Sequence, residues 1–168
     1  MADTFSQIYI HIIFSVKERQ NVIHATWREE LFKYISGIIK GKNQKLYAIG
    51  GMPDHVHILI SLSPNCLISE LVNSVKTNST KWINSKGFVK GKFNWQEGYG
   101  AFSYGQSQLD RVINYIKNQE KHHQSKSFKE EYIELLQRFN IGFEEKYLFE
   151  WIDWIQFDFG KSVSIFLK

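Results

Sequence analysis

Pro53-Asp54-His55-Val56-His57-Ile58-Leu59-Ile60 reads as a turn running into a strand, with histidines at i and i+2. Side chains alternate across a strand, so His55 and His57 share one face, with Cα atoms roughly 7 Å apart, and Val56 points the other way. Two imidazoles placed so converge on one metal ion or one phosphate. Taken alone, the pattern also describes a strand that carries two polar residues on its exposed face. The rest of the chain decides between them.

Upstream, residues 45–49 read as a second strand, broken by Gly50-Gly51 and Pro53. The short turn before Asp54 makes an antiparallel hairpin of the two. Residues 5–16 are rich in β-branched and aromatic side chains and predict a mostly buried strand, ended by Lys17-Glu18-Arg19. His11 lies inside it, where a packed or hydrogen-bonded core histidine is the ordinary reading. Between these strands, Trp27, Leu31, Tyr34, Ile35, Ile38 and Ile39 follow helical spacing over residues 26–40.

Downstream of the histidines, Ser63-Pro64 precedes a helix with Ile68, Leu71, Val72 and Val75 inward. Residues 93–104 predict a last strand or tight hairpin, bent at Gly98 and Gly100. Ser107-Gln108-Leu109-Asp110 opens a helix expected to reach about His122, and the capping box Ser127-Phe128-Lys129-Glu130 opens another. The order predicts an α+β fold: a ferredoxin-like sandwich of one central antiparallel sheet with helices packed on one face, plus a C-terminal helix. One domain is expected over residues 1–150. The remainder, 151–168, belongs to an aromatic tail without a clean helical or strand period.

The bulk properties narrow the class. The chain has 168 residues, 43% hydrophobic and 23% charged, as expected of a water-soluble domain. The start lacks the pattern of a signal peptide, and no apolar run approaches the ~20 residues that span a bilayer. Cys66 alone excludes an intrachain disulfide and a cysteine-based zinc cluster. A cytoplasmic address with no membrane partner is the expectation.

The net charge of +4 is unevenly spread: five lysines and no acid fall within residues 71–96. Trp82, Phe88, Phe93 and Trp95 are interleaved with them. Cations attract phosphates and aromatic faces stack unpaired bases, so the stretch suits single-stranded nucleic acid, as well as a plain solvated basic surface. Lys76, Lys81, Lys90, Lys92 and Arg111 are the candidate DNA contacts, chosen by charge and placement.

On the helix after Gln108, Tyr115 and Gln119 share one flank beside the apolar stripe, one turn apart. A tyrosine on such a flank is also an ordinary border of a core. With the histidines, the pieces fit phosphodiester cleavage: a tyrosine nucleophile, and two imidazole nitrogens with one amide oxygen around a Lewis acid. Mixed nitrogen and oxygen donors without thiolate suit Mg²⁺ or Mn²⁺, and two imidazoles also accept Zn²⁺.

Gly51-Met52-Pro53-Asp54, His55-Val56-His57 and Tyr115-Ile116-Lys117-Asn118-Gln119 resemble the signature of the single-tyrosine HUH transposases of the IS200/IS605 type. These are related to the REP-associated tyrosine transposases. Residues 11–15, 95–103 and His122-His123 add to the resemblance, which covers roughly residues 4–150. It implies a ferredoxin-like fold and a divalent metal on His55, His57 and Gln119. It further implies attack by Tyr115 on single-stranded, hairpin-forming DNA at the ends of a mobile element, through a 5′-phosphotyrosine. A homodimer is commonly found in that family. The main competing reading is a nucleic-acid-binding module on the same fold that cuts nothing, and a third is a metal-dependent hydrolase in which water attacks. No family counterpart is recognised for the aromatic tail.

Overall fold

A computed structural model describes residues 4–148. The chain runs β1 (Tyr9–Ser15), α1 (Ala25–Gly41), β2 (Lys45–Met52), β3 (His55–Ser61), α2 (Ile68–Lys86), β4 (Gly100–Tyr104), α3 (Leu109–Lys117), α4 (Gln119–His122) and α5 (Phe128–Arg138). Four strands form one sheet in the order β2-β3-β1-β4, every pair antiparallel. This is the α+β, ferredoxin-like arrangement that the sequence predicts. None of the helices described is long and apolar enough to cross a membrane.

Strand alternation divides the core in two. Ile10, Ile12 and Phe14 of β1, with Val56, Ile58 and Ile60 of β3, face α1 and α2 and pack against Leu31, Ile35, Ile39, Leu71 and Val75. The other face is covered as well, which corrects the expectation of helices on one face only. There Leu59 and Ala48 meet Leu109, Val112 and Ile116 of α3, while Ile13 and Phe102 meet Phe128, Tyr132, Leu135 and Leu136 of α5. Every residue of β1 is buried. Its unbroken apolar run is the pattern of a strand covered on both sides.

Three local readings also shift. β2 continues through Gly50 and Gly51 to Met52 instead of breaking there. In residues 93–104 only Gly100–Tyr104 forms a strand, with a single bridge from Trp95 to Val16 ahead of it. The helix expected to reach His122 is interrupted at Asn118 (φ −104°, ψ 28°), whose side-chain amide donates to the Asn114 carbonyl at 2.7 Å. The aromatic tail at 151–168 lies outside the described residues.

Gly50 sets how closely α3 approaches the sheet. A Cβ built there would lie 2.2 Å from the carbonyl oxygen of Ile116, one residue after Tyr115. Only a residue without a side chain lets the backbone of α3 lie on β2 at this distance. We therefore expect Gly50→Ala to lower the unfolding free energy by about 1–3 kcal/mol in urea titrations, as overpacking does. An unchanged midpoint would show that α3 is not held by this contact.

Candidate metal and tyrosine site

β3 delivers His55 and His57 to the face of the sheet covered by α3 and α5. In the register with β1, His55 stands opposite Ser15 and His57 opposite Ile13. Both histidines are 0% exposed. Each is oriented through one ring nitrogen. His55 Nδ1 lies 2.7 Å from Asp54 Oδ1 and His57 Nδ1 lies 2.9 Å from His11 Nε2. A proton on His55 Nδ1, donated to the carboxylate, leaves the Nε2 lone pair free, and the same holds for His57 donating to His11.

These two Nε2 atoms are buried and make no hydrogen bond. They point instead toward Glu131 of α5, which lies 3.9 Å from His55 Nε2 and 3.7 Å from His57 Nε2. His123 Nε2 lies 2.9 Å from the same carboxyl, and His123 Nδ1 donates to the Lys126 carbonyl at 2.9 Å. His55, His57, His123 and Glu131 place one ligand atom each within 4.8 Å of one another and can together hold a metal ion. Buried, unpartnered imidazole nitrogens around one carboxyl are a donor set that suits a divalent cation.

The electrostatics follow from burial. Desolvation draws His11 down to about 3 and His123 to about 4, with neighbouring His55 adding to the latter. Burial and the surrounding imidazoles hold His57 well below its usual value. Burial, with Asp54 and Glu134 nearby, pushes the Glu131 carboxyl up to about 8. The contacts of Glu131 with His57 and His123 are therefore those of a carboxyl with largely neutral imidazoles, not ion pairs.

Tyr115 reaches the same place from α3. Its ring stands edge-on to His57 with centroids 5.9 Å apart, and to His122 at 5.0 Å. Gln119, 2% exposed, opens α4 just past the Asn118 break. Its amide nitrogen donates to Glu131 Oε1 at 3.2 Å, and its amide oxygen lies 3.0 Å from His123 Nε2. The four residues singled out by sequence, His55, His57, Tyr115 and Gln119, thus meet in one place.

The expected DNA contacts divide. Lys76, Lys81 and Lys92 border one cavity of about 600 Å³, whereas Arg111 lines another beside Tyr115. Lys76 donates to the carbonyls of Gln96, at 2.8 Å, and Gly98, and burial brings its ammonium down to about 8. It ties α2 to the loop before β4. The interleaved aromatics are packed, not displayed: Trp82 stacks on Tyr34 and Phe88 on Trp27, each at 4.8 Å, and Phe93 and Trp95 are core residues.

Sequence reasoning left His11, Asp54, His123 and Glu131 without a role in the site. One signal was present for Glu131: it interrupts the apolar stripe of Phe128, Tyr132 and Leu135, where an acid is costly unless something polar meets it. His123 follows Gln119 by four residues, one helical turn.

The family described as "Transposase IS200 like" matches residues 4–119. The chain belongs to the IS200-like transposases. Among similar proteins, the transposase of insertion sequence IS200 from Salmonella typhimurium is 24% identical over 114 residues, covering 65% of this chain and 74% of that one. The ISDra2 transposase TnpA of Deinococcus radiodurans is 25% identical over 118 residues, covering 67% and 84%. Two solved structures share the fold. A putative transposase from Deinococcus radiodurans aligns with a TM-score of 0.58 at 22% identity, over 71% of this chain and 95% of that one. A REP-associated tyrosine transposase bound to a REP hairpin aligns with a TM-score of 0.54 at 14% identity, over 73% and 74%. The matched family segment holds the histidine pair, Tyr115 and Gln119 of this IS200-like transposase, and ends before His123 and Glu131.

The lowered imidazoles give the metal-free protein a defined response to acid. Groups such as His11 and His123, depressed from 6.5, contribute stability that is present above pH 6.5 and lost as pH falls toward their folded values. Glu131 acts the other way: raised from 4.5 to about 8, its contribution is present at low pH and lost as pH rises through 8. His11, His57 and His123 together outweigh the one carboxyl. The urea midpoint without metal should fall between pH 6.5 and about pH 4, by on the order of a few kcal/mol. A flat profile there would contradict the buried, neutral imidazoles.

Proposed function

We propose that the protein cuts and rejoins single-stranded DNA at the hairpin-flanked ends of a mobile element, with Tyr115 as nucleophile. The observation that carries this reading is the placement of the Tyr115 ring 5.9 Å from His57, beside two buried imidazole nitrogens that lack a partner. Tyr115 forms a bond from its phenolic oxygen to phosphorus as the bond from phosphorus to the 3′ oxygen breaks. The phenol gives up its proton and the departing 3′ oxygen gains one. The products are a 5′-phosphotyrosine and a free 3′-OH, and attack by another 3′-OH reverses the step and joins strands. Since one phosphodiester replaces another, no nucleotide cofactor is required.

His55 and His57, with Gln119 as the amide donor, are the residues that hold a divalent cation, Mg²⁺ or Mn²⁺, in this reading. Bound there, such an ion supplies Lewis acidity at the scissile phosphate. Asp54 and His11 keep the two Nε2 lone pairs facing inward. Gln119 reaches the same centre, although in this structure its amide meets His123 and Glu131. Lys81, Lys90, Lys92 and Arg111 offer charge to the DNA backbone, and Lys76 fixes the loop that borders the lysine surface. A homodimer forms part of the reading and is tested by light scattering.

Incubation with single-stranded hairpin DNA and Mn²⁺, followed by a denaturing gel, tests the chemistry. The expected result is a covalent protein–DNA adduct that disappears in Tyr115→Phe. Cleavage that survives this substitution would point to water as nucleophile, and binding without any cleavage of the element's own ends would mark a non-cutting module. For His57→Ala, cleavage should fall about a hundredfold or more while hairpin binding persists. Loss of hairpin binding with an intact fold would show that the histidines serve recognition as well.

A further inference from the structure

The group that orients His57 is itself a buried imidazole, and only one of its two nitrogens has a partner. His11 lies on β1, 0% exposed, with Phe102 of β4 opposite it in the register. Its Nε2 lies 2.9 Å from His57 Nδ1, whereas its Nδ1 is buried and makes no hydrogen bond. Aromatic rings pack around it: the centroids of Phe102, Tyr104 and Tyr115 lie 6.3, 6.1 and 6.2 Å from its own. Tyr115 stands nearly perpendicular to it, at 84°.

One hydrogen bond joins the two imidazoles, so a single choice fixes both. If His57 Nδ1 donates, His11 carries its proton on Nδ1, and His57 Nε2 is left as a bare lone pair. If His11 Nε2 donates, the proton of His57 sits on Nε2 and closes that nitrogen to a metal ion, while the His11 Nδ1 lone pair is stranded among the rings. Each ring holds one proton in either case, so the choice is of tautomer and not of charge. On His55 the matter is simpler, because Asp54 as a carboxylate can only accept. An imidazole can donate or accept, so the direction of His11 must be set by something else. Aromatic faces are weak acceptors for an N–H and offer nothing to a lone pair.

We propose that this aromatic shell holds His11 as the Nδ1–H tautomer, and that His11 thereby fixes His57 as Nδ1–H with its Nε2 open before any cation arrives. The inference deepens the metal-assisted reading above and rests on it for its consequence. His11 is then a positioning residue placed between ligand and nucleophile. It bonds to His57, and the ring of Tyr115 forms one wall of its shell.

The test uses the full chain, labelled with ¹⁵N-histidine and free of metal, in long-range nitrogen–proton correlation NMR. The His57 signal is assigned by its loss in His57→Ala, and Mn²⁺ affinity is read separately by electron paramagnetic resonance. His57 should show its proton on Nδ1 in the metal-free protein, and should keep it there in Tyr115→Phe, which preserves the ring. His11→Leu removes the acceptor and should weaken Mn²⁺ binding by about tenfold or more. His11→Gln, whose amide oxygen can replace Nε2 as acceptor, should restore most of that affinity. If His11→Leu fails to fold, the tautomer of the parent protein still decides. A His57 proton on Nε2 overturns the proposal, as does a His11→Leu protein that folds and binds Mn²⁺ as the parent does, and in both cases the metal reading stands. A parent that shows the Nδ1–H tautomer and binds no Mn²⁺ would support the tautomer assignment and overturn the metal reading.

Discussion

An imidazole can be removed from water only if each of its nitrogens finds a partner, and this structure buries His55 and His57 completely. Asp54 and His11 take one nitrogen each. The remaining two nitrogens, with Glu131 and His123, form a polar centre inside an otherwise apolar layer. Burial enforces the consequences: a neutral His57 ring, a carboxyl that resists ionisation, and lone pairs with nowhere to turn but toward one another. A divalent cation would satisfy those lone pairs, and His55, His57, His123 and Glu131 stand close enough together to hold one.

The layer that encloses this centre needs both α3 and α5, and each is held by a specific contact. Gly50 lets the α3 backbone settle on β2, and the Tyr115 and Gln119 side chains inherit their positions from it. On α5, Phe128 stacks on the His55 ring at 3.9 Å and 11°, so His55 is fixed by a bond in its plane and a face contact across it. Glu131 follows Phe128 by three residues and is thereby aimed at the free nitrogens. Hydrophobic cover and the polar centre thus both draw on one turn of one helix.

Much of this was legible in the chain because it depends on local period. Strand alternation put His55 and His57 on one face, and the helical repeat put Tyr115 and Gln119 on one flank. The elements fell in the ferredoxin-like order, and the Ser127–Glu130 capping box started α5 where expected. What could not be read depends on pairing between distant segments. That His11 meets His57 requires the β1–β3 register, and that α3 and α5 cover the second face requires knowing that this face needs cover. The buried run of β1 hinted at it, but an apolar strand looks the same whether one helix layer or two lie against it. The lysine stretch misled in a different way: composition counts aromatic and basic side chains without saying which point outward, and Trp82, Phe88, Phe93 and Trp95 turn in.

The division between the two basic regions has a physical meaning for how DNA is handled. The α2 surface sets Lys81 and Lys92 around a broad cavity. Phosphate contacts made by lysines of this kind would be sequence-independent and screened by salt. The smaller cavity beside Tyr115 is lined by Arg111, Lys126 and Arg138 together with Glu131 and Glu134, so it mixes both signs of charge. The sheet itself stands between the two regions, since α2 packs on one of its faces and α3 and α5 on the other, so charge gathered at one cavity cannot substitute for charge at the other.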